Sequence, residues 1–225
     1  VNGLVGSEMC IRDSSYHLLY HFPHLVDTNL QKKFNNFKWL DNQDHLKSWQ
    51  KGMTGYPIID AGMRQLYETG YMHNRVRMIV GSFLVKNLMI HWKYGQEWFW
   101  DTLVDADIAS NSASWQWVAG TGADAAPYFR IFNPVTQSKK FDPNGDYIKK
   151  YVPELKNIPS KYIHLPSELE TDSLSSYGIK LDHNYPKPIV DLSITRERAL
   201  DAFKELSKAT SSVSYTHLRA HETID

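Results

Sequence analysis

The sequence predicts an all-α protein. Apolar residues recur at helical three- and four-residue spacing, alternating runs typical of strands are scarce, and proline and glycine stand where helices begin and end. Hydrophobic residues make up 42% of the 225 residues, which is enough for the core of one large domain. No apolar run reaches the ~18 residues of a membrane helix. The single cysteine, Cys10, excludes a disulfide framework, and we predict no metal site.

The clearest helix signals lie in the first half of the chain. Pro57 stands near the first position of one helix and Gly70 at its end. Apolar residues then keep helical spacing from Val76 to Leu88. The helices that follow are predicted at 73–92, 96–104 and 107–119.

Helix signals are weaker in the second half of the chain. Beyond Pro134, turn residues stand at 142–145, and a short helix is predicted at 147–151. The stretch 159–188 contains several prolines and serines and is predicted to be mostly irregular. A last amphipathic helix is predicted near 194–206.

The two ends of the chain differ from the rest. Residues 1–15 and 209–225 resemble translated sequencing-adapter or vector sequence and fit no periodic pattern. We therefore expect one domain at 16–208 between two non-native tails.

The net charge of zero hides an uneven distribution of charge. Five cations stand against one anion in 64–93, and five against two in 128–151. The cations of the second stretch are Arg130, Lys139, Lys140, Lys149 and Lys150. Two interpretations remain open: these residues form a phosphate-facing surface, or they are ordinary solvated helix faces.

Three chemically different side chains share one predicted helix face. Steps of four residues place Asp107, Asn111 and Trp115 along it, whereas Trp117 points elsewhere. Such a stripe is unusual for a core because each buried polar group needs a partner. Either the stripe faces a ligand, or Asp105 and Asp107 cap the helix and Asn111 bonds to nearby backbone.

The segment from Trp49 to Pro134 carries five motifs in a fixed order: GYPIIDAGMRQL, MHNRVRM, DADIA, WQW and DAAPYFRIFNP. It resembles the DNA photolyase/cryptochrome family, closest to the class I cyclobutane pyrimidine dimer photolyases, and the likeness extends from about Tyr16 to Ala202. The resemblance implies a multi-helical FAD-binding domain of the photolyase type that is N-terminally truncated. A second antenna chromophore, of folate or deazaflavin type, is expected only on the missing N-terminal domain.

The resemblance assigns one set of residues to FAD. Asp105, Ala106 and Asp107 match the family's D-x-D beside the isoalloxazine. Arg77 matches the arginine that pairs with the first aspartate, an arrangement in which the two charges compensate each other. Asn111 matches the position that faces flavin N5, where photolyases carry an amide.

Three tryptophans match the family's electron relay, which photoreduces the flavin. Trp115 is expected to be innermost, Trp92 next, and Trp39 at the surface. Indole suits this role because it is readily oxidised and packs well in apolar surroundings. Any one of the three alone would more often be a core residue.

The resemblance assigns a third set of residues to damaged DNA. Asn74 and Arg75 match positions that bind the lesion and its phosphate backbone. Trp117 matches the tryptophan against which the flipped dimer packs, and Met78 lines the same pocket. Arg130 is expected to contact phosphate. Because (6-4) photolyases carry a histidine at the position of Asn74, the asparagine favours the cyclobutane lesion.

The implied activity is light-driven repair of cyclobutane pyrimidine dimers by electron transfer from reduced FAD, catalysed by a deoxyribodipyrimidine photo-lyase. We expect a monomer that binds damaged DNA with the dimer flipped, and no membrane partner. Two alternatives stay open: a cryptochrome, a blue-light photoreceptor without repair activity, and a helical fragment with no activity of its own. The compartment is left open, and is cytoplasmic for a bacterial source.

Overall fold

The computed structural model describes residues 13–123, 125, 128 and 130–221, with side chains as far as residue 208. Within these residues the fold is helical without a strand, and an isolated bridge joins Leu181 to Tyr185. The all-α prediction is therefore confirmed. The α-helices are α1 (13–21), α2 (Gln43–Gln50), α3 (Pro57–Thr69), α4 (Asn74–Ser82), α5 (Trp92–Thr102), α6 (Ile108–Ala119), α7 (Pro134–Phe141), α8 (Asp146–Tyr151), α9 (Thr171–Ser176) and α10 (Leu192–His221).

Helix α3 begins and ends where the sequence predicts. Pro57 occupies its first turn, where a missing N–H costs nothing, and Gly70 ends it with φ of 67°. The helix ends here because glycine adopts this left-handed conformation freely, whereas a residue with a side chain would be strained. Helix α6 likewise agrees with its prediction to within one residue.

The predicted helix at 73–92 ends sooner than expected, and the next helix, predicted at 96–104, starts sooner. Helix α4 continues into a π-helical turn, Phe83–Asn87, and Met89 after it has a positive φ of 53°. Helix α5 starts at Trp92 because the side chain of His91 accepts a hydrogen bond from the Lys93 N–H. Apolar residues continue to Ile90, so spacing alone placed the end of this helix too late.

The second half contains more helix than the sequence predicts. The predicted turn at 142–145 is present, but α7 before it was not predicted; it forms because Asn133 caps it by accepting from the Thr136 N–H. The irregular stretch 159–188 contains α9, and α10 is longer than the predicted 194–206. No helix among the described residues is long and apolar enough to cross a membrane.

The predicted tails fall largely outside the described part of the chain. Residues 1–12 and 222–225 are not described, nor are the side chains of 209–221. The division into a domain at 16–208 with a non-native tail on each side therefore stays a prediction.

A buried carboxylate joins the start of α3 to the segment before α10. Asp60 is fully buried and accepts hydrogen bonds from the Thr54 N–H and hydroxyl, both at 2.7 Å, and from the Gly55 N–H at 3.1 Å. The Tyr185 hydroxyl donates a fourth at 2.8 Å. Burial raises the pKa of Asp60, and the donors oppose that rise. These four hydrogen bonds replace the ones that the carboxylate would make to water if it were exposed.

The largest core cluster lies among α2 to α6, and Trp115 stands where α4, α5 and α6 meet. Helix α5 approaches closely because residue 95 is glycine: a Cβ there would lie 2.1 Å from the indole Cη2. Gly81 of α4 also packs against the indole, where an added Cβ would lie 3.6 Å from Cζ3, an ordinary contact distance. Phe99 and Trp49 complete the pocket, with ring centroids 5.0 and 6.2 Å from Trp115.

We expect Gly95→Ala to lower the free energy of unfolding by about 1–3 kcal/mol, the usual cost of overpacking a core. The added methyl must displace the indole of Trp115 or separate α5 from α6. Urea unfolding followed by circular dichroism measures the change.

Gly81→Ala is the matched control for Gly95→Ala. Its Cβ would meet Val118 Cγ1 at 3.4 Å, an ordinary contact, and alanine gains about 0.5–1 kcal/mol over glycine in a helix. This variant should be neutral or more stable. Equal losses in the two variants would contradict the packing argument.

Candidate functional site

A cavity of about 820 Å³ is bounded by α4, α5, α6 and the described start of the chain. Its volume lies in the range of ~300–1,000 Å³ typical of small-molecule and cofactor sites. Sequence-predicted FAD residues on its wall are Arg77, Asp105, Ala106, Asp107 and Asn111. Trp115 lies there too, together with the predicted lesion residues Asn74, Met78 and Trp117.

Asp107 both caps α6 and lines the cavity. Its carboxylate accepts a hydrogen bond from the Ser110 N–H at 2.8 Å and another from the Tyr16 hydroxyl at 2.6 Å. Partial burial would raise the pKa of Asp107, but these hydrogen bonds outweigh it and hold the pKa below its usual range. The wall therefore carries a negative charge here at neutral pH.

Asn111 lies one helical turn further along the same face. Its amide Nδ2 donates to the Gln96 carbonyl at 3.0 Å, and the Gln96 side chain donates to the Ser112 hydroxyl at 2.7 Å. The backbone of α5 thus fixes the amide orientation. Within the described residues nothing donates to Oδ1 of Asn111, so this oxygen is available to accept from a ligand.

Arg77 and Asp105 form an ion pair on the cavity wall. Nη2 of Arg77 lies 3.0 and 2.9 Å from the two carboxylate oxygens of Asp105, and Nε donates to the Met72 carbonyl at 2.6 Å. The side chains are 26% and 52% exposed, so both can still meet a ligand. The pairing is the one that the resemblance implies.

The three tryptophans of the predicted relay lie at different depths. Trp115 is buried on the cavity wall. Trp92 is fully buried outside the cavity, and its indole N–H donates to the Asn29 side chain at 2.8 Å. Trp39 is partly exposed. Trp115 and Trp92 are both buried and Trp39 is the most exposed of the three, as expected for the outer member, while electron transfer itself stays a prediction.

Two predicted DNA residues lie outside the cavity. Arg75 places its guanidinium 4.8 Å from the ring centroid of Phe141, and Lys140 places its Nζ 5.4 Å from the same ring. Asn74, the neighbour of Arg75, lines the cavity, so this basic surface adjoins it. Arg130 is exposed. Phosphate binding by these residues stays a prediction.

Sequence reasoning missed Lys86, which supports the segment that carries Arg130. Lys86 is 1% exposed, and its Nζ donates to the Arg130 carbonyl at 2.9 Å. Burial, together with the Arg130 charge, lowers the pKa of Lys86 to about 8. A lysine within the apolar run FLVKNL was the available signal. Within the described ranges, no His, Cys, Asp or Glu group is arranged to hold a metal ion.

Comparison with known proteins gives consistent matches. Residues 4–205 match the family model described as the FAD binding domain of DNA photolyase. The chain is 56% identical over 203 residues to a deoxyribodipyrimidine photo-lyase of Agrobacterium fabrum, covering 90% of this chain and 42% of that protein. It is 41% identical to cryptochrome-2 of Arabidopsis thaliana, covering 88% of this chain and 32% of that protein.

A solved structure agrees with the sequence matches. The fold is similar to that of a bacterial class III photolyase from Agrobacterium tumefaciens, with a TM-score of 0.87 and 56% identity. The match covers 89% of this chain and 42% of that one. The chain therefore spans about two fifths of the length of these photolyases.

We expect Asp107→Ala to lower the free energy of unfolding by about 1 kcal/mol, because α6 loses its N-cap. Asp107→Ser is the matched control, since serine keeps a cap acceptor while it also lacks the carboxylate. Thermal unfolding of both variants measures the difference. If the two variants lose the same stability, the capping role is wrong.

Proposed function

Because the chain belongs to the DNA photolyase/cryptochrome family, we propose that the protein containing it is a deoxyribodipyrimidine photo-lyase, which repairs cyclobutane pyrimidine dimers in DNA. The observation that carries the proposal is the shared cavity. A polar set suited to a flavin, with Asp107 and Asn111, lines the same space as Trp117 and Asn74, which suit a flipped base. Repair of a base by a cofactor requires this proximity.

The cavity residues fit the ring system of FAD. An isoalloxazine presents both N–H and carbonyl groups, and the wall offers acceptors on Asp107 and Asn111 and donors on Arg77. These side chains, with Asp105, would hold the ring edge. When bound, FAD supplies light absorption and the electron for repair. We further propose that other FAD contacts and any antenna chromophore belong to parts of the protein outside this chain.

The proposed lesion is the cyclobutane dimer because of the side chain at position 74. An amide such as Asn74 does not titrate near neutral pH, whereas a histidine does and can donate a proton. Splitting of the cyclobutane ring by electron transfer needs no comparable acid. Trp117 offers a flat apolar wall for the flipped bases, and Arg75, Arg130, Lys139 and Lys140 offer cations to the phosphates.

The runner-up function is a cryptochrome, which would use the same cofactor without repair. The 41% identity to cryptochrome-2 is the reason that this alternative is included in the experiments below. Asn111 favours repair because photolyases carry an amide at this position. Asn74 favours it because an amide there suits the cyclobutane dimer. The class I prediction also stays open to test, since the matched solved structure is that of a class III photolyase.

The third alternative is a fragment without activity. Retention of FAD during purification separates it from the other two, because a photolyase and a cryptochrome both keep the cofactor. We propose a monomer with damaged DNA as its partner, and gel filtration with and without a lesion-bearing duplex tests this.

We expect the full-length protein loaded with FAD to repair cyclobutane dimers in light and to leave (6-4) products unchanged. The reason is that Asn74 supplies no proton donor of histidine type. Illuminated turnover on oligonucleotides with each lesion measures the choice. Repair of the (6-4) product would contradict the lesion assignment, and repair of neither would favour a cryptochrome.

We expect Trp117→Ala to weaken binding to dimer-containing DNA by about ten- to a hundredfold, since base–aromatic stacking contributes ~1–3 kcal/mol per base. Trp100→Ala is the matched control, because Trp100 is 52% exposed and does not line the cavity. Gel-shift titration measures both variants. Unchanged affinity of Trp117→Ala would remove Trp117 from the lesion site.

We expect Trp115→Phe to slow photoreduction of oxidised FAD while it spares repair by enzyme reduced beforehand. Phenylalanine fills most of the pocket but is much harder to oxidise than indole. The two rates are measured separately, by absorbance under illumination and by dimer repair. Equal loss of both rates would show that Trp115 serves the repair step itself.

A further inference from the structure

An imidazole lies between two tryptophans of the proposed relay. The ring centroid of His91 is 5.1 Å from that of Trp39, with the planes at 69°, and 5.3 Å from that of Trp92, with the planes at 31°. His91 is half-buried at the junction before α5. The three rings therefore contact one another in the order Trp39, His91, Trp92.

The start of α5 fixes the orientation of this imidazole. Nδ1 of His91 accepts a hydrogen bond from the Lys93 N–H at 3.1 Å, as the N-cap of the helix. An accepting Nδ1 carries no proton, so the neutral ring carries its proton on Nε2. On one side Trp92 is anchored by Asn29. The spacing between the rings is thus set by backbone and side-chain hydrogen bonds.

The surroundings of His91 favour its neutral form. Burial lowers the pKa of His91, and the nearby charge of Lys93 lowers it further. Lys93 itself pairs with Asp27. On the segment that carries Trp39, Lys38 and Asp41 are exposed. The positive end of the α5 dipole also disfavours an imidazolium at the N-cap.

We propose that His91 is a positioning residue of the relay: its neutral ring holds Trp39 and Trp92 in fixed contact and tolerates a positive charge on either indole. This inference rests on the proposed function. In the step concerned, one electron passes from Trp39 to the radical cation of Trp92. Trp92 returns to neutral indole, Trp39 becomes the radical cation, and the proton of His91 stays on Nε2. The original oxidant is light-excited oxidised FAD, reached through Trp115.

A protonated His91 would oppose the step before it, in which Trp92 loses an electron to the radical cation of Trp115. A unit charge about 5 Å from each indole disfavours a radical cation there by about ten- to a hundredfold, with the lower value for the partly exposed Trp39. The relay should therefore work when His91 is neutral and fail as the pH falls below the histidine pKa.

The test measures tryptophan-radical yield by transient absorption in the full-length protein loaded with FAD, from about pH 8 to about pH 5. In the natural sequence the yield should fall at least about tenfold on acidification. His91→Phe keeps a ring without a titrating group, so its yield should stay high and flat with pH. His91→Asn keeps a cap acceptor without a ring, so its yield should be low at every pH.

His73→Asn is the matched control. His73 caps α4 in the same way, since its Nδ1 accepts from the Arg75 N–H at 3.2 Å, but its ring has no stacking contact with a tryptophan among the described residues. Its profile should equal that of the natural sequence. A pH profile that His91→Phe leaves unchanged overturns the proposal.

A second readout needs no flavin. In flavin-free protein, tryptophan fluorescence should show a quenching step in the acid range as His91 gains its proton, and both His91 variants should lack that step. Trp92→Phe distinguishes failure of the proposed relay from failure of the proposed role of His91. If Trp92→Phe leaves photoreduction intact, the relay fails and this inference with it. If Trp92→Phe stops photoreduction while the His91 variants behave like the natural sequence, only the role of His91 is wrong.

Discussion

The indole of Trp115 fills the space that two glycines leave where α4, α5 and α6 meet. Since Gly95 has no side chain, α5 lies close enough for the carbonyl of Gln96 to reach the amide of Asn111. The same contact fixes the rotation of α6, which carries Asp107 to the cavity. The polar groups on the cavity wall and the buried indole of Trp115 are therefore positioned by one packing contact.

Charge is arranged differently inside and outside the cavity. The inner wall combines a carboxylate of low pKa on Asp107 with a self-compensated pair, Arg77 and Asp105. The cations of Arg75 and Lys140 lie beside it, around the ring of Phe141. A neutral ring system with N–H donors suits the interior, whereas a polyanion is attracted to the outer surface only. The zero net charge of the chain conceals this division.

The sequence predicted the features that depend on neighbouring residues, such as helix boundaries and helix faces. Pro57 and Gly70 bound α3, and steps of four placed Asp107, Asn111 and Trp115 on one face. The break before α5 was predicted at 93–95 but lies at 88–91, because its position depends on a positive φ within a continuous apolar pattern. The roles of Gly95, Lys86 and His91 escaped prediction because each depends on a side chain distant in sequence. Assignment of the polar set to FAD came from the family motifs, since spacing alone left both capping and ligand binding open.

The carboxylate of Asp60 limits how this domain can be divided. Its fourth donor, the Tyr185 hydroxyl, comes from 125 residues further along the chain. A recombinant fragment that stops before Tyr185 would leave a buried acceptor short of a partner, which costs about 1–3 kcal/mol or more for a charged group. The segment that carries Tyr185 has no residue on the cavity wall, yet it belongs to the smallest part of the chain that should fold. Limited proteolysis should therefore release no stable core that lacks it.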